Sequence, residues 1–255
     1  MTQSIAPKHY LNLGAETLKT ECFALAQLAV RDCVAREAMG ALYGPAGNGK
    51  TFAVRSALSK VSDRDVVSVD CQVGMTHRSL SATLLETVTG GIIHRGTRSE
   101  FERMLLRELR TRPRVVCLDE AQRLNADGIE ILRSLHDDPD TQITLLLVGG
   151  NNCWEVLSSQ PMLRSRIHRP VEFRPLSQAK VFALLPRFHP LLTNTSTDVL
   201  RLVDDKFARG NLRNWANFVL TAESICEKHA LDTVTEAVAR NAFALLGGRP
   251  KAVTA

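Results

Sequence analysis

Six cysteines are scattered along the 255-residue chain without CxxC spacing, and seven histidines form no HExxH pair. The sequence signs of a zinc site or a disulfide framework are therefore missing, and a reducing cytoplasm is the expected compartment. Long apolar runs are missing as well. The longest, "ITLLLVGG" at 143–150, is far too short to span a bilayer, so no membrane partner is expected. The opening "MTQSIAPKHYLNLGAET" has no apolar stretch of the kind that marks a secretory signal. Aromatic residues are only 5% of the chain, and none interleaves with basic residues as stacking on single-stranded nucleic acid requires. Charge is not extreme either. The 32 Lys+Arg against 27 Asp+Glu leave +5, which permits a polyanionic partner without demonstrating one.

What is present is an alternation of β-rich runs with helical spacing. "MGALY" (39–43), "VVSVD" (66–70), "RVVCLDE" (114–120), "ITLLLVG" (143–149) and "PVEF" (170–173) alternate with helical segments. That pattern predicts an α/β fold, a parallel sheet flanked by helices. Residues 15–38 predict an amphipathic helix with Leu18, Cys22, Leu25, Leu28 and Ala29 at helical spacing. "SEFERMLLRELR" reads as a helix opened by a capping box of Ser99 and Glu102. From 177 onward no strand is expected, and helical runs cover 177–188, 197–209, 212–228 and 233–246. The expected division is an N-terminal helical extension packed on the core (1–38), an α/β domain (39–176) and a small all-helical lid (177–255).

The stretch "GPAGNGKTF" carries the first sign of chemistry. Gly44, Pro45, Ala46, Gly47, Asn48, Gly49, Lys50 and Thr51 fit G-x-x-x-x-G-K-[ST], and with Phe52 they sit between an expected strand and an expected helix. Glycines let successive amides converge on phosphate oxygens, and the helix N-terminus adds a positive dipole end. Lys50 is the candidate for the β- and γ-phosphates of ATP, and Thr51 for Mg²⁺. The second sign is "RVVCLDEAQRL" at 114–124. An apolar strand ending in two carboxylates needs a cation or water there. Asp119 is the candidate for positioning Mg²⁺, and Glu120 for the general base of ATP hydrolysis.

A phosphate loop, an Asp-Glu strand end and a helical tail together resemble AAA+ ATPases. Within that class the chain resembles the transposition target-selection group (phage Mu MuB, TnsC and TniB). The markers in order are "GPAGNGKT", "VVCLDEAQRLNADGIEILRSLHDD", "ITLLLVGG", "LRSRIHRPVEF" and "RGNLRNWANFVLTA". The resemblance implies an AAA+ P-loop NTPase fold and a polar sensor 1 residue at the end of the 143–149 strand, at Gly150 or Asn151, with Asn151 the candidate. It also implies an arginine finger from "LRSRI", Arg166 with Arg164 in reserve, reaching the neighbouring subunit's nucleotide. In "GNLR" it implies a sensor 2 residue, Arg213. With only 38 residues before the first strand, the chain is closer to the minimal TnsC plan than to MuB, which carries an additional helix-turn-helix module.

Residues 94–114, "HRGTRSEFERMLLRELRTRPR", hold seven arginines against three glutamates. Read alone, the run favours a solvated helix face with its glutamates as i,i+4 neighbours. The resemblance implies double-stranded DNA as its partner, with Arg95, Arg98 and Arg103 touching backbone phosphates rather than bases. It further implies a head-to-tail homo-oligomer or filament that selects target DNA and recruits or activates a transposase, with an adaptor protein as a further partner. Other expected readings are a replication initiator or helicase loader, and an ATP-gated protein scaffold with little turnover.

Overall fold

The chain was described by a computed structural model covering residues 13–61 and 65–247. The outer parts of the expected N-terminal extension and C-terminal lid, residues 1–12 and 248–255, lie outside the described residues. The β-rich runs form five strands: β1 (Met39–Tyr43), β2 (Asp65–Asp70), β3 (Arg114–Asp119), β4 (Ile143–Val148) and β5 (Ile167–Glu172). They make one parallel sheet in the order β2-β3-β4-β1-β5. Such a sheet needs cover on both faces. Alternate strand residues supply it, with Met39, Ala41, Val116, Leu118, Leu145 and Leu147 in one cluster and Leu42, Val115, Cys117, Leu146 and Val148 in another.

The first cluster is completed by α3 (His77–Val88), α4 (Arg98–Leu109), α5 (Ala126–Asp137), α6 (Cys153–Ser158) and α7 (Pro161–Arg164). The second is completed by α1 (Glu21–Arg36) and α2 (Lys50–Leu58). In α1 the buried stripe is Ala26, Ala29, Val30, Cys33 and Val34, whereas Leu25 and Leu28, expected on the apolar face, are about half exposed at 47% and 50%. Small side chains at 26 and 29 let the helix lie close to its neighbours, and that approach fixes its rotation. Residues 15–20, expected as helix, are not helical. β5 starts three residues before the expected "PVEF". It is an edge strand, where Pro170 and its missing N–H are tolerated.

One capping expectation is corrected. The box at the start of α4 is Thr97 with Glu100, not Ser99 with Glu102. Glu100 Oε2 accepts the Thr97 amide at 2.7 Å and the Thr97 hydroxyl at 2.9 Å. Both pairs fit the S/T-x-x-E spacing; the earlier one starts the helix in phase to bury Phe101, Leu105 and Leu109.

The described chain divides into two compact units: the sheet with its helices (21–46, 50–61 and 65–173), and a second unit of 13–20, 47–49 and 174–247. The second is helical, with α8 (Gln178–Leu184), α9 (Pro190–Thr193), α10 (Thr197–Val203), α11 (Leu212–Lys228) and α12 (Glu236–Leu245). Its core is centred on Trp215, Phe218 and Val219 and includes Leu13 and Ala15. The buried Asp204 carboxylate accepts the Trp215 indole N–H at 3.2 Å and the Gly210 amide at 2.7 Å, pinning the turn that precedes α11. No helix among the described residues is long and apolar enough to cross a membrane.

Candidate nucleotide-hydrolysis site

β1, β3 and β4 lie side by side, and their carboxyl ends carry the loop 44–49, the pair Asp119-Glu120 and the pair Gly149-Gly150. After β1 the chain passes to α2 on one face, and after β4 to α6 on the other. Crevices beyond strand ends at such a switch point are where open parallel sheets bind ligands.

The loop has the backbone its glycines foretell. Gly44, Gly47 and Gly49 have φ of 126°, 84° and 87°, left-handed conformations that side chains disfavour. At Gly44 a Cβ would also meet the Phe173 carbonyl oxygen at 2.1 Å. Within the second unit, a Cβ on Gly47 would meet Asn211 Oδ1 at 2.5 Å. Lys50 opens α2, is buried, and donates from Nζ to the Gly44 and Pro45 carbonyls, each at 2.8 Å. Phe52 points its ring at Phe23, 6.2 Å between centroids. The Asn48 amide is buried, with no hydrogen-bond partner for either polar atom. Burying an unsatisfied amide is unfavourable by about 1–3 kcal/mol, which a phosphate oxygen or a water would relieve.

The carboxylates meet the loop residues as the spacing anticipates. Thr51 Oγ1 donates to Asp119 Oδ2 at 2.9 Å, while Asp119 Oδ1 accepts the Glu120 amide at 2.9 Å. Two oxygens so placed suit a hard cation that keeps most of its water, as Mg²⁺ does. Among the described residues no cluster of three or more His, Cys, Asp or Glu forms a self-sufficient metal cage. Glu120 is left-handed, φ 56° and ψ 36°, a strained conformation for a residue other than glycine. Its Oε2 accepts Gln122 Nε2 at 2.5 Å and lies 3.7 Å from Arg123 Nη2, while Arg123 Nη1 donates to the Cys71 carbonyl at 3.0 Å. Gln122 Oε1 in turn accepts the Gly150 amide at 2.7 Å. Neither Gln122 nor Arg123 was singled out from sequence. The available sign was a polar pair one residue after the carboxylates, together with a strand followed by two glycines. Burial pushes the nearby thiols of Cys71, Cys117 and Cys153 up to about 12, so none supplies a thiolate here.

Other candidates lie further out. Asn151 is exposed, one residue beyond Gly150. Arg166 forks onto Asp137 of its own chain at 2.6 and 2.7 Å and donates to the Met162 carbonyl. Arg166, and secondarily Arg133, hold the Asp137 carboxyl below the usual range. Arg164 is exposed and forms no ion pair among the described residues. In the second unit, the Arg213 amide donates to the Gly47 carbonyl at 3.0 Å, and Asn211 caps α11 by accepting the Arg213 and Asn214 amides. The seven-arginine run divides in two. Arg95, Arg98, Arg103 and Arg107 are exposed. Arg110 forks onto Asp138, Arg112 pairs with Asp65, and the buried Arg114 holds Asp65 and the Glu108 carbonyl.

Residues 34–157 match the family model of an AAA domain. The chain carries an AAA+ ATPase domain. No curated protein matches the chain in sequence. Among solved structures, Cdc6p from Pyrobaculum aerophilum is 19% identical, with 98% of this chain and 75% of that one aligned at a TM-score of 0.73. Aeropyrum pernix ORC1, solved in complex with DNA, is 18% identical over 96% of this chain and 69% of its own, at 0.65. The RuvB Holliday junction branch migration motor of Thermotoga maritima is 17% identical over 97% and 76%, at 0.63. At these identities the likeness establishes the AAA+ P-loop fold. With the domain match and the residues just described, the ligands of this ATPase are ATP and Mg²⁺.

Proposed function

We propose that this ATPase binds duplex DNA in an ATP-dependent manner as a head-to-tail oligomer or filament, and regulates DNA transposition by marking target DNA for a transposase. Lys50 and the loop amides hold the phosphates, Thr51 and Asp119 hold Mg²⁺, and Glu120 accepts the proton of the attacking water. Bound Mg²⁺ would supply charge neutralisation at the phosphates. Arg213 acts as sensor 2; its amide already anchors α11 to Gly47. The finger comes from the 164–166 segment of the next protomer. Arg166 serves if its Asp137 pair opens on assembly, and Arg164 serves as it stands. Arginine given in trans couples hydrolysis to assembly. Asn151, three residues past β4, is the sensor 1 candidate. Six cysteines, none in a disulfide, suit work in a reducing cytoplasm.

The observation that carries the DNA reading is the exposed arginine group at 95, 98, 103 and 107, on the same unit as the carboxylates. Exposed guanidinium groups on a loop and the helix that follows it suit backbone phosphates and confer affinity without base choice. A second reading, a replication initiator or helicase loader, is supported to the same degree by the fold shared with Cdc6p and ORC1. Adding the ATPase, loaded with a non-hydrolysable ATP analogue on duplex DNA, to a transposase or to a replicative helicase separates the two. The transposition reading expects DNA-bound oligomers in electron micrographs and stimulated strand transfer. Helicase loading without any change in strand transfer would replace it with the second reading.

A further inference from the structure

We infer that Gln122 is the positioning residue for the hydrolytic carboxylate, bridging Glu120 to the backbone amide of Gly150 just beyond β4. The inference deepens the assignment of Glu120 as general base and rests on it.

Three observations carry it. Gly150 N–H can only donate, so the Gln122 atom that meets it at 2.7 Å is the amide oxygen. The NH₂ group must then face the other way, and it meets Glu120 Oε2 at 2.5 Å. The direction of the bridge follows from chemistry, independent of how an amide is drawn. Second, the two glycines that follow β4 make room for the bridge. A Cβ at Gly149 would stand 2.5 Å from Gln122 Oε1 and 2.4 Å from Cys153 Sγ, and one at Gly150 would stand 3.3 Å from Gln122 Nε2. Third, Glu120 is held from several sides. Asp119 Oδ1 accepts its amide, its carbonyl accepts the Arg123 amide at 2.9 Å, and Arg123 approaches the same carboxylate oxygen as Gln122.

The consequence is a division of labour along the strand ends. Asp119 fixes the backbone of Glu120, and Gln122 fixes its carboxylate relative to β4. A general base works only within hydrogen-bond reach of the proton it takes. A carboxylate swinging about its own side-chain torsions would spend little time there. With Gln122 in place, a shift in the β4 end moves the Gly150 amide, and that motion reaches Glu120 through one side chain.

Three variants test the inference on the full chain. Gln122→Ala should lower kcat for ATP roughly tenfold or more, with ATP affinity within about twofold of wild type. Gln122→Glu, close to isosteric, keeps an acceptor for Gly150 but sets a second carboxylate against Glu120. The two should share a proton, moving the ascending limb of the pH–rate profile up by about one unit. Hydrogen exchange in nucleotide-free protein gives a readout independent of turnover. The Gly150 amide should exchange roughly tenfold faster or more in Gln122→Ala than in wild type, while Glu120→Gln leaves it protected. The inference is overturned if Gln122→Ala keeps wild-type kcat and Gly150 protection, or if Gln122→Glu keeps the wild-type pH profile. Sustained turnover in Glu120→Gln would instead overturn the assignment of the base, which separates the two failures.

Discussion

Two polar regions of the sheet-bearing unit differ in how much of their hydrogen bonding is already committed. At the strand ends, Lys50, Thr51, Asp119, Glu120 and Gln122 are tied to one another or to the loop. Along the loop and helix before β3, Arg95, Arg98, Arg103 and Arg107 stand exposed. Chemistry at a phosphate needs groups held within a fraction of an ångström before the ligand arrives. Holding a polyanion by its backbone needs only positive charge within reach of many phosphates. On the proposed function, the contrast assigns one region to reaction and the other to attachment. Arg110, Arg112 and Arg114 belong to neither. Their carboxylate partners, and for Arg114 a backbone carbonyl, make them structural.

The largest expected effect breaks the reactive side alone. Glu120→Gln should lower ATP turnover by roughly 10²–10⁴-fold while nucleotide binding persists, and the variant should stay on DNA because it cannot leave the ATP state. Phosphate release and DNA retention measured together check this; turnover near wild type would remove Glu120 from its role. Next comes the attachment side. Arg95→Ala with Arg98→Ala should lower the slope of log affinity for duplex DNA against log salt by about 2, without loss of basal turnover. Arg110→Ala with Arg112→Ala should leave that slope where it was. Equal slopes for the two double variants would erase the distinction between the halves of the run.

The phosphate loop and the two carboxylates were legible in the sequence because their chemistry is local. Glycines at fixed offsets set the backbone, and consecutive residues end a strand. The sheet was legible for the same reason, as apolar runs five or six residues long. What escaped was decided by partners far along the chain. Nothing near Arg110, Arg112 or Arg166 announces Asp138, Asp65 or Asp137, since strand order brings them together. Gln122 escaped because its meaning depends on Gly150, which is 28 residues away and contributes only a backbone amide. In α1 the expected stripe carried Leu25 and Leu28, whereas packing on the sheet buried the smaller side chains of Ala26, Ala29, Val30, Cys33 and Val34.

The smallest expected effect concerns pH. The Arg110 guanidinium holds the Asp138 carboxyl below its ordinary value of 3.8. A carboxyl whose folded value is depressed adds stability that is present above the unfolded value and is lost as pH falls through the folded one. Denaturation of wild type and Arg110→Ala should therefore differ at pH 6, and the difference should vanish as the solution is acidified below the carboxylate range. A difference that persists in acid would mean that Arg110 contributes by packing instead.

Duplex DNA binding, measured by anisotropy with and without a non-hydrolysable ATP analogue in wild type and Lys50→Ala, tests the central claim most directly. The account predicts tight binding for wild type with the analogue, weak binding without it, and weak binding for Lys50→Ala in both. Equal binding by both proteins regardless of nucleotide, or no binding by either, would contradict it.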